Sequence, residues 1–161
     1  MFDIVLYEPE IPPNTGNVMR LCANCGCTLH LIKPLGFTLD EKKVRRAGLD
    51  YIDLSIVSQW SNLAAYQQAR QPATMYAFST KAKRIYSTAC FKEGDALLFG
   101  PETRGLPDNV MQSLGVENQL RIPMLTSSRS INLSNAVAIA CFEGLRQILS
   151  LIHISEPTRP Y

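Results

Sequence analysis

With 161 residues, of which 46% are hydrophobic and 19% charged, the chain has enough apolar material for one full core and reads as an ordinary soluble globular protein. A formal net charge of +2 is too small to argue a nucleic-acid partner from the total. Such a claim must rest on local clusters, here Lys42, Lys43, Arg45 and Arg46, and again Lys81, Lys83 and Arg84.

The opening MFDIVLYEPE carries acid where a secretory signal carries base, and no run of about 18 apolar residues could span a bilayer. The expected location is the cytoplasm. The five cysteines, Cys22, Cys25, Cys27, Cys90 and Cys141, are an odd number with three crowded together, unlike a secreted disulfide framework.

Residues 2–7 (FDIVLY) predict a first strand, broken by Glu8 and Pro9. After the loop EPEIPPNTGN, Asn14 or Thr15 is expected to cap a helix starting near Gly16 or Asn17 and ending at Gly26. Residues 27–32 (CTLHLI) predict a second strand. Thr38 or Asp40 would open a short basic helix through Arg46, and residues 54–57 a third strand. An amphipathic helix is expected over 60–70, a strand over 74–79 (TMYAFS), an irregular loop over 81–93 and a buried strand over 96–99 (ALLF). Residues 120–122 form a short strand before Pro123, and Asn132 and Ser134 lead into a long apolar helix ending near Ser150. This alternation predicts an α/β domain over 1–150 with a mostly parallel sheet, whose ligand loops lie at strand carboxyl ends, after Tyr7, Phe99 and Ile122. Residues 151–161, with prolines at 157 and 160, are expected to be a poorly ordered tail, which a cloning or assembly artefact would also explain.

Five constellations carry possible chemistry. In PPNTGNVMRLCAN, Asn14 and Arg20 are spaced to reach one phosphate or hydroxyl, the plainer alternative being a cap and a solvated cation. In LLFGPETRGLP, the glycines permit close backbone approach to a ligand, and Glu102 and Arg104 otherwise make an exposed pair. The run TSSRSINLSN, with Ser130, Asn132 and Asn135, holds more polar groups than capping requires. CANCGCTLH has the composition of a zinc site, but Cys22 and Cys25 fall in a helix while Cys27 and His30 point to opposite faces of a strand, so buried free thiols are expected and no metal. The basic run KKVRRAG is either a solvated face or a phosphate contact. Neither GxGxxG nor GxxxxGK[ST] follows any strand, which argues against a nicotinamide- or nucleotide-dependent enzyme.

Together NTGNVMR, FGPETRGLP and RIPM followed by SRSINLSNAVA resemble the three motifs of the SPOUT methyltransferases. The likeness is greatest to the YibK-like tRNA wobble 2'-O-methyltransferases, with IVLYEPEIPPNTGN and RRAGLDY adding to it. It extends over residues 1–149. The resemblance implies an α/β knot, in which a mostly parallel sheet is flanked by helices and a carboxyl-terminal deep trefoil knot, here within 97–149, forms the cofactor pocket. It also implies a homodimer, S-adenosylmethionine as cofactor without metal, and a tRNA substrate methylated on the 2'-hydroxyl of wobble nucleotide 34, a cytidine or modified uridine of leucine tRNAs.

Carried over by motif position, Phe78, Gly100, Glu102, Ile122, Ser130 and Leu133 are similar to cofactor contacts, and Arg20, Asn14, Ser130 and Asn132 to the acceptor and catalytic site. Lys42, Arg45, Arg46, Lys81 and Arg104 are the expected tRNA contacts. The helix over 133–149 is expected to bury Val137, Cys141, Leu145 and Leu149 on one face, and Phe142 stands where a tyrosine would be expected. The alternatives are a knotted protein that binds RNA without methylating it, or a 2'-O-methyltransferase of another RNA.

Overall fold

The computed structural model describes residues 1–39, 56–128 and 130–155. Among these, seven strands form one sheet: β1 (Asp3–Tyr7), β2 (Thr28–Ile32), β3 (Val57–Trp60), β4 (Met75–Phe78), β5 (Arg84–Ile85), β6 (Ala96–Phe99) and β7 (Gln119–Arg121). Their order is β3-β2-β1-β6-β4-β7-β5, and every pairing is parallel. Four α-helices among the described residues accompany them: α1 (Pro12–Cys25), α2 (Leu63–Arg70), α3 (Asp108–Leu114) and α4 (Leu133–Ser155). The near-continuous apolar runs IVL and ALLF are what a parallel sheet covered on both faces demands.

Because side chains alternate across a strand, each run feeds two cores. Ile4, Leu6, Leu29, Leu31, Leu97 and Phe99 face one way, against α1 (Val18, Met19, Cys22) and α4 (Val137, Ala140, Cys141). Val5, Ile32, Ala77 and Leu98 face the other, against Tyr66 of α2 and Val110 and Met111 of α3. Gly144 lets α4 settle on the first core, since a Cβ there would lie 2.6 Å from the Phe2 ring.

The structure revises several boundaries. Helix α1 starts at Pro12 rather than near Gly16, so Asn14 and Thr15 lie inside it, buried, and neither caps. Prolines at the first helical positions have φ already set and no N–H to satisfy, which removes the need for a side-chain cap. Strand β3 occupies Val57–Trp60 instead of 54–57; there Trp60 lies level with Ile32 and its indole N–H reaches His30 Nδ1 at 3.0 Å.

The stretch 81–93 is not wholly irregular. Strand β5 and a 3-10 turn (Tyr86–Thr88) form within it, with the Arg84 guanidinium donating to the carbonyls of Glu117 and Thr88. A two-residue strand is too short to leave a periodic signal. Helix α4 continues to Ser155, since no proline intervenes before position 157. Its buried face also differs: Ile148 is buried and Leu149 is 50% exposed. At 3.6 residues per turn, steps of four drift about 40° each, so by the third step Leu149 has left the face that Val137 begins. The basic helix expected over 38–46 lies mainly outside the described residues.

At the amino end of the sheet Asp3 gathers a polar cluster. Its carboxylate accepts from Thr28 Oγ1 at 2.7 Å, Tyr66 OH at 2.9 Å, and Arg70 Nε and Nη2 at 3.0 and 2.9 Å. His30 Nε2 lies 3.3 Å from Asp3 Oδ2. Because the Trp60 indole can only donate, His30 Nδ1 accepts and the ring proton sits on Nε2, facing Asp3. Burial pushes the Asp3 carboxyl up, but the hydrogen bonds from His30, Arg70 and Thr28 outweigh it and hold the group well below the usual carboxylate range.

A carboxylate with a depressed native pKa contributes stability that is present above its unfolded pKa and is lost as pH falls through the native one. Asp3→Asn should therefore lower unfolding free energy at pH 7 by about 2–3 kcal/mol and flatten the loss of stability below about pH 4. Urea titrations of both proteins from neutral to acid pH check this, and parallel curves would refute it.

Candidate active site

Parallel strands end at the same edge of a sheet, so the loops after β1, β4, β6 and β7 are neighbours although they are far apart in sequence. They enclose a cavity of about 600 Å³, within the range that holds a cofactor-sized ligand. Phe78 and Phe99, at the ends of adjacent strands β4 and β6, stack with centroids 4.8 Å apart and form one of its walls. Gly100 follows. A Cβ there would collide with the backbone of Gly105 and Leu106, so only glycine lets the 100–106 turn fold back on itself at the cavity.

The polar side of the cavity is organised by Glu102. Its Oε2 accepts from the Glu10 N–H at 2.8 Å, and its Oε1 from the Ile11 N–H at 3.1 Å and Asn14 Nδ2 at 3.2 Å. Asn14 Oδ1 in turn accepts from Asn132 Nδ2 at 2.9 Å. Asn132 Oδ1 caps α4, accepting from the Ser134 N–H at 3.0 Å, the Ser134 hydroxyl at 2.7 Å and the Asn135 N–H at 3.3 Å. One chain of hydrogen bonds thus joins the loops after β1, β6 and β7.

A second set closes the rim. Glu8 adopts a left-handed backbone (φ 46°) at the end of β1, and its carboxylate meets Arg104. Arg104 Nε also lies 3.5 Å from Glu10 Oε1. Glu10 accepts from the N–H of Thr103 at 3.1 Å and from its hydroxyl at 2.7 Å. These Thr103 bonds, followed by those from Arg104, hold Glu10 below the usual carboxylate range. Arg104 therefore pairs with Glu8 and Glu10, not with Glu102 as an exposed pair in the turn would have it.

Of the residues expected at the cofactor, Phe78, Gly100, Glu102, Ile122, Ser130 and Leu133 all line the cavity, as do Asn14 and Asn132 of the expected acceptor site. Lys81 and Arg104 line it too, with Lys81 Nζ 3.4 Å from Asp108 on the exposed side. Arg20 does not: it is exposed on α1, outside the lining. Lys42, Arg45 and Arg46 lie outside the described residues.

Sequence reading missed the loop after β4 as a wall of the site, with Ser79 and Thr80, and missed Phe99 as the partner of Phe78. The signal was there in FST, polar residues directly after an apolar strand. It also missed that Glu8 and Glu10 would bind Arg104 and Thr103, for which EPE and TRG give opposite charges but no pairing.

The SpoU rRNA Methylase family model matches residues 1–142. The chain belongs to the SpoU rRNA methylase family. Among SpoU relatives, the tRNA (cytidine(34)-2'-O)-methyltransferase of Aeromonas hydrophila subsp. hydrophila is 56% identical over 148 residues, covering 92% of this chain and 95% of its own. A solved structure described as giving structural insights into the 2-OH methylation of C/U34 on tRNA superposes with a TM-score of 0.85 at 45% identity, covering 93% of this chain and 97% of that one. The SpoU methyltransferase AviRb from Streptomyces viridochromogenes, solved in complex with the cofactor AdoMet, shares the fold at a TM-score of 0.77 and 24% identity, over 92% of this chain and 60% of its own.

Glu102→Ala would strip a charged acceptor from two backbone N–H groups and Asn14 together. It should cost about 2–3 kcal/mol of stability, with Glu102→Gln, which keeps one carbonyl acceptor, in between. Chemical denaturation of the three proteins checks this ranking.

Proposed function

We propose that this protein transfers a methyl group from S-adenosylmethionine to the 2'-hydroxyl of the wobble nucleotide, cytidine or modified uridine 34, of leucine tRNAs. The observation that carries the reading is the cavity itself. It lies at the carboxyl edge of a parallel sheet in a chain 56% identical, over nearly its whole length, to a wobble-cytidine 2'-O-methyltransferase. S-adenosylmethionine, when bound, supplies an electrophilic methyl group, so attack by a hydroxyl needs chiefly alignment.

The residues suit such a ligand. The Phe78–Phe99 wall and the side chains of Ile122 and Leu133 offer apolar surface to a purine, beside the glycine turn at Gly100. Glu102 is committed to Glu10, Ile11 and Asn14, so its part is to hold the α1 start in place. Asn14 and Asn132 are likewise mutually bonded. That leaves the Ser130 hydroxyl beside the cavity and Arg20 on the solvent side of α1 for the incoming ribose.

A guanidinium stays protonated in water, so Arg20 acts as a fixed positive charge that stabilises the developing alkoxide, and the proton leaves by another route. Lys81, exposed at the rim, together with Lys42, Arg45 and Arg46, supplies charge for tRNA phosphates. Arg104 joins them only when a phosphate displaces Glu8 and Glu10. A single-stranded anticodon loop can splay its bases to present the ribose.

The same reading includes a trefoil knot, although knots are rare in proteins. In its support, the chain passes from β7, next to the sheet's edge strand, back to α4, which packs on α1 and on central β6. It also includes a homodimer. Ile139, Phe142 and Leu149 of α4 are 36%, 57% and 50% exposed, a stripe of large apolar side chains that a second copy would cover. No described helix is long and apolar enough to cross a membrane, and the proposed place of action is the cytoplasm, with its tRNA.

The test is transfer of labelled methyl to bacterial tRNA lacking wobble 2'-O-methyl groups, with mass spectrometry of nuclease fragments. Label at ribose 34 is expected; label on another nucleotide, or none, refutes the assignment. Arg20→Ala should lower kcat about 100-fold with cofactor affinity unchanged, because Arg20 stands outside the cavity. Gly100→Ala should lose cofactor binding in isothermal titration, since the turn cannot accept a Cβ.

A further inference from the structure

The methyl-transfer reading makes no use of the CANCGC cysteines, yet the fold collects them with a fourth thiol from the far end of the chain. Cys22 and Cys25 lie on the last turn of α1 and Cys27 just before β2, while Cys141 comes from the middle of α4. Cys27 Sγ and Cys141 Sγ are 3.6 Å apart, and both residues are buried, 1% and 0% exposed. Cys25 is half-buried beside them. No disulfide links them; all are free thiols.

Buried cysteines are ordinarily inert because burial disfavours the thiolate, and Cys22 shows this, its thiol pushed far above the usual range by burial. Cys27 differs. Its sulfur touches the Cys141 sulfur, and that contact outweighs burial and holds Cys27 below the ordinary thiol range. The same contact raises Cys141, which is left as the protonated partner. An acidic thiol touching a second thiol is the arrangement of a nucleophile and its resolving group.

We propose that Cys27 and Cys141 are an oxidation site, a dithiol that closes to an intramolecular disulfide in response to a small peroxide. The Cys27 thiolate attacks hydrogen peroxide, breaking the O–O bond to form a sulfenic acid and release hydroxide. That hydroxide takes the Cys141 proton and leaves as water. The Cys141 sulfur attacks the Cys27 sulfur, and the departing hydroxide combines with the proton Cys27 had shed, giving a second water. Two thiols and one peroxide thus yield one disulfide and two waters, and an external thiol reverses the change. The bond would fasten the start of β2 to the middle of α4, the helix whose amino end borders the cavity.

The test uses the full chain carrying Cys90→Ser, which removes an exposed thiol outside the cluster. The folded protein is treated with hydrogen peroxide, alkylated and digested without reductant. The expected product, in most molecules, is a cross-link between the peptide holding Cys22, Cys25 and Cys27 and the peptide holding Cys141. It has lost two hydrogens, fragmentation places the bond at Cys27, and dithiothreitol abolishes it. A bond at Cys22 or Cys25 instead, links only between copies, sulfinic acid without a link, or unreacted Cys27 and Cys141 once a free-cysteine control is consumed would each overturn the assignment.

Discussion

Three loops that are remote in sequence meet at one edge of the sheet through the carboxylate of Glu102. It accepts two backbone N–H groups from the loop before α1 and the side-chain amide of Asn14, and Asn14 passes the connection to Asn132 and the start of α4. The Glu10 N–H and the Asn14 and Asn132 amides are partly buried donors that would otherwise be unpaired, so moving the loop after β1 strands polar groups on both of the others. The cavity keeps its shape because its walls share this single set of bonds.

The parallel sheet explains why the loops were available to be joined. With every strand running the same way, β1, β4, β6 and β7 deliver their connections to one edge, while the opposite edge is tied by Asp3 to Thr28, His30, Tyr66 and Arg70. One end is thus given to fixed internal ion pairing and the other to a ligand. Two glycines serve close packing between these ends: Gly144 admits the Phe2 ring against α4, and Gly100 admits the returning turn beside the cavity.

Much of the site was legible because its chemistry is local. Polar residues directly following an apolar strand, as in LLFGPETRG and RIPMLTSSRS, mark a carboxyl-end loop whatever the rest of the chain does, and Gly100, Glu102, Ser130 and Asn132, expected there by this pattern or by motif, line the cavity. Asn14 was misjudged because a helix can start on proline without a side-chain cap, leaving the asparagine free to bond across loops. The face of α4 was misjudged at Leu149 because a four-residue step does not match the helical turn. Strand β5 was invisible since two residues show no alternation.

The sequence by itself determined the alternation of strands and helices, the position of the ligand loops and the family motifs, because hydrophobic period and turn chemistry act over neighbouring residues. Only the tertiary structure decided which carboxylate meets which cation, that Arg104 turns to Glu8 and Glu10 and away from Glu102, that Arg20 stays outside the cavity, and that Cys27 touches Cys141. These are contacts between residues about 90 or more positions apart or depend on which face a helix presents, and no local pattern encodes them: they follow from strand order and packing, which the whole chain sets at once.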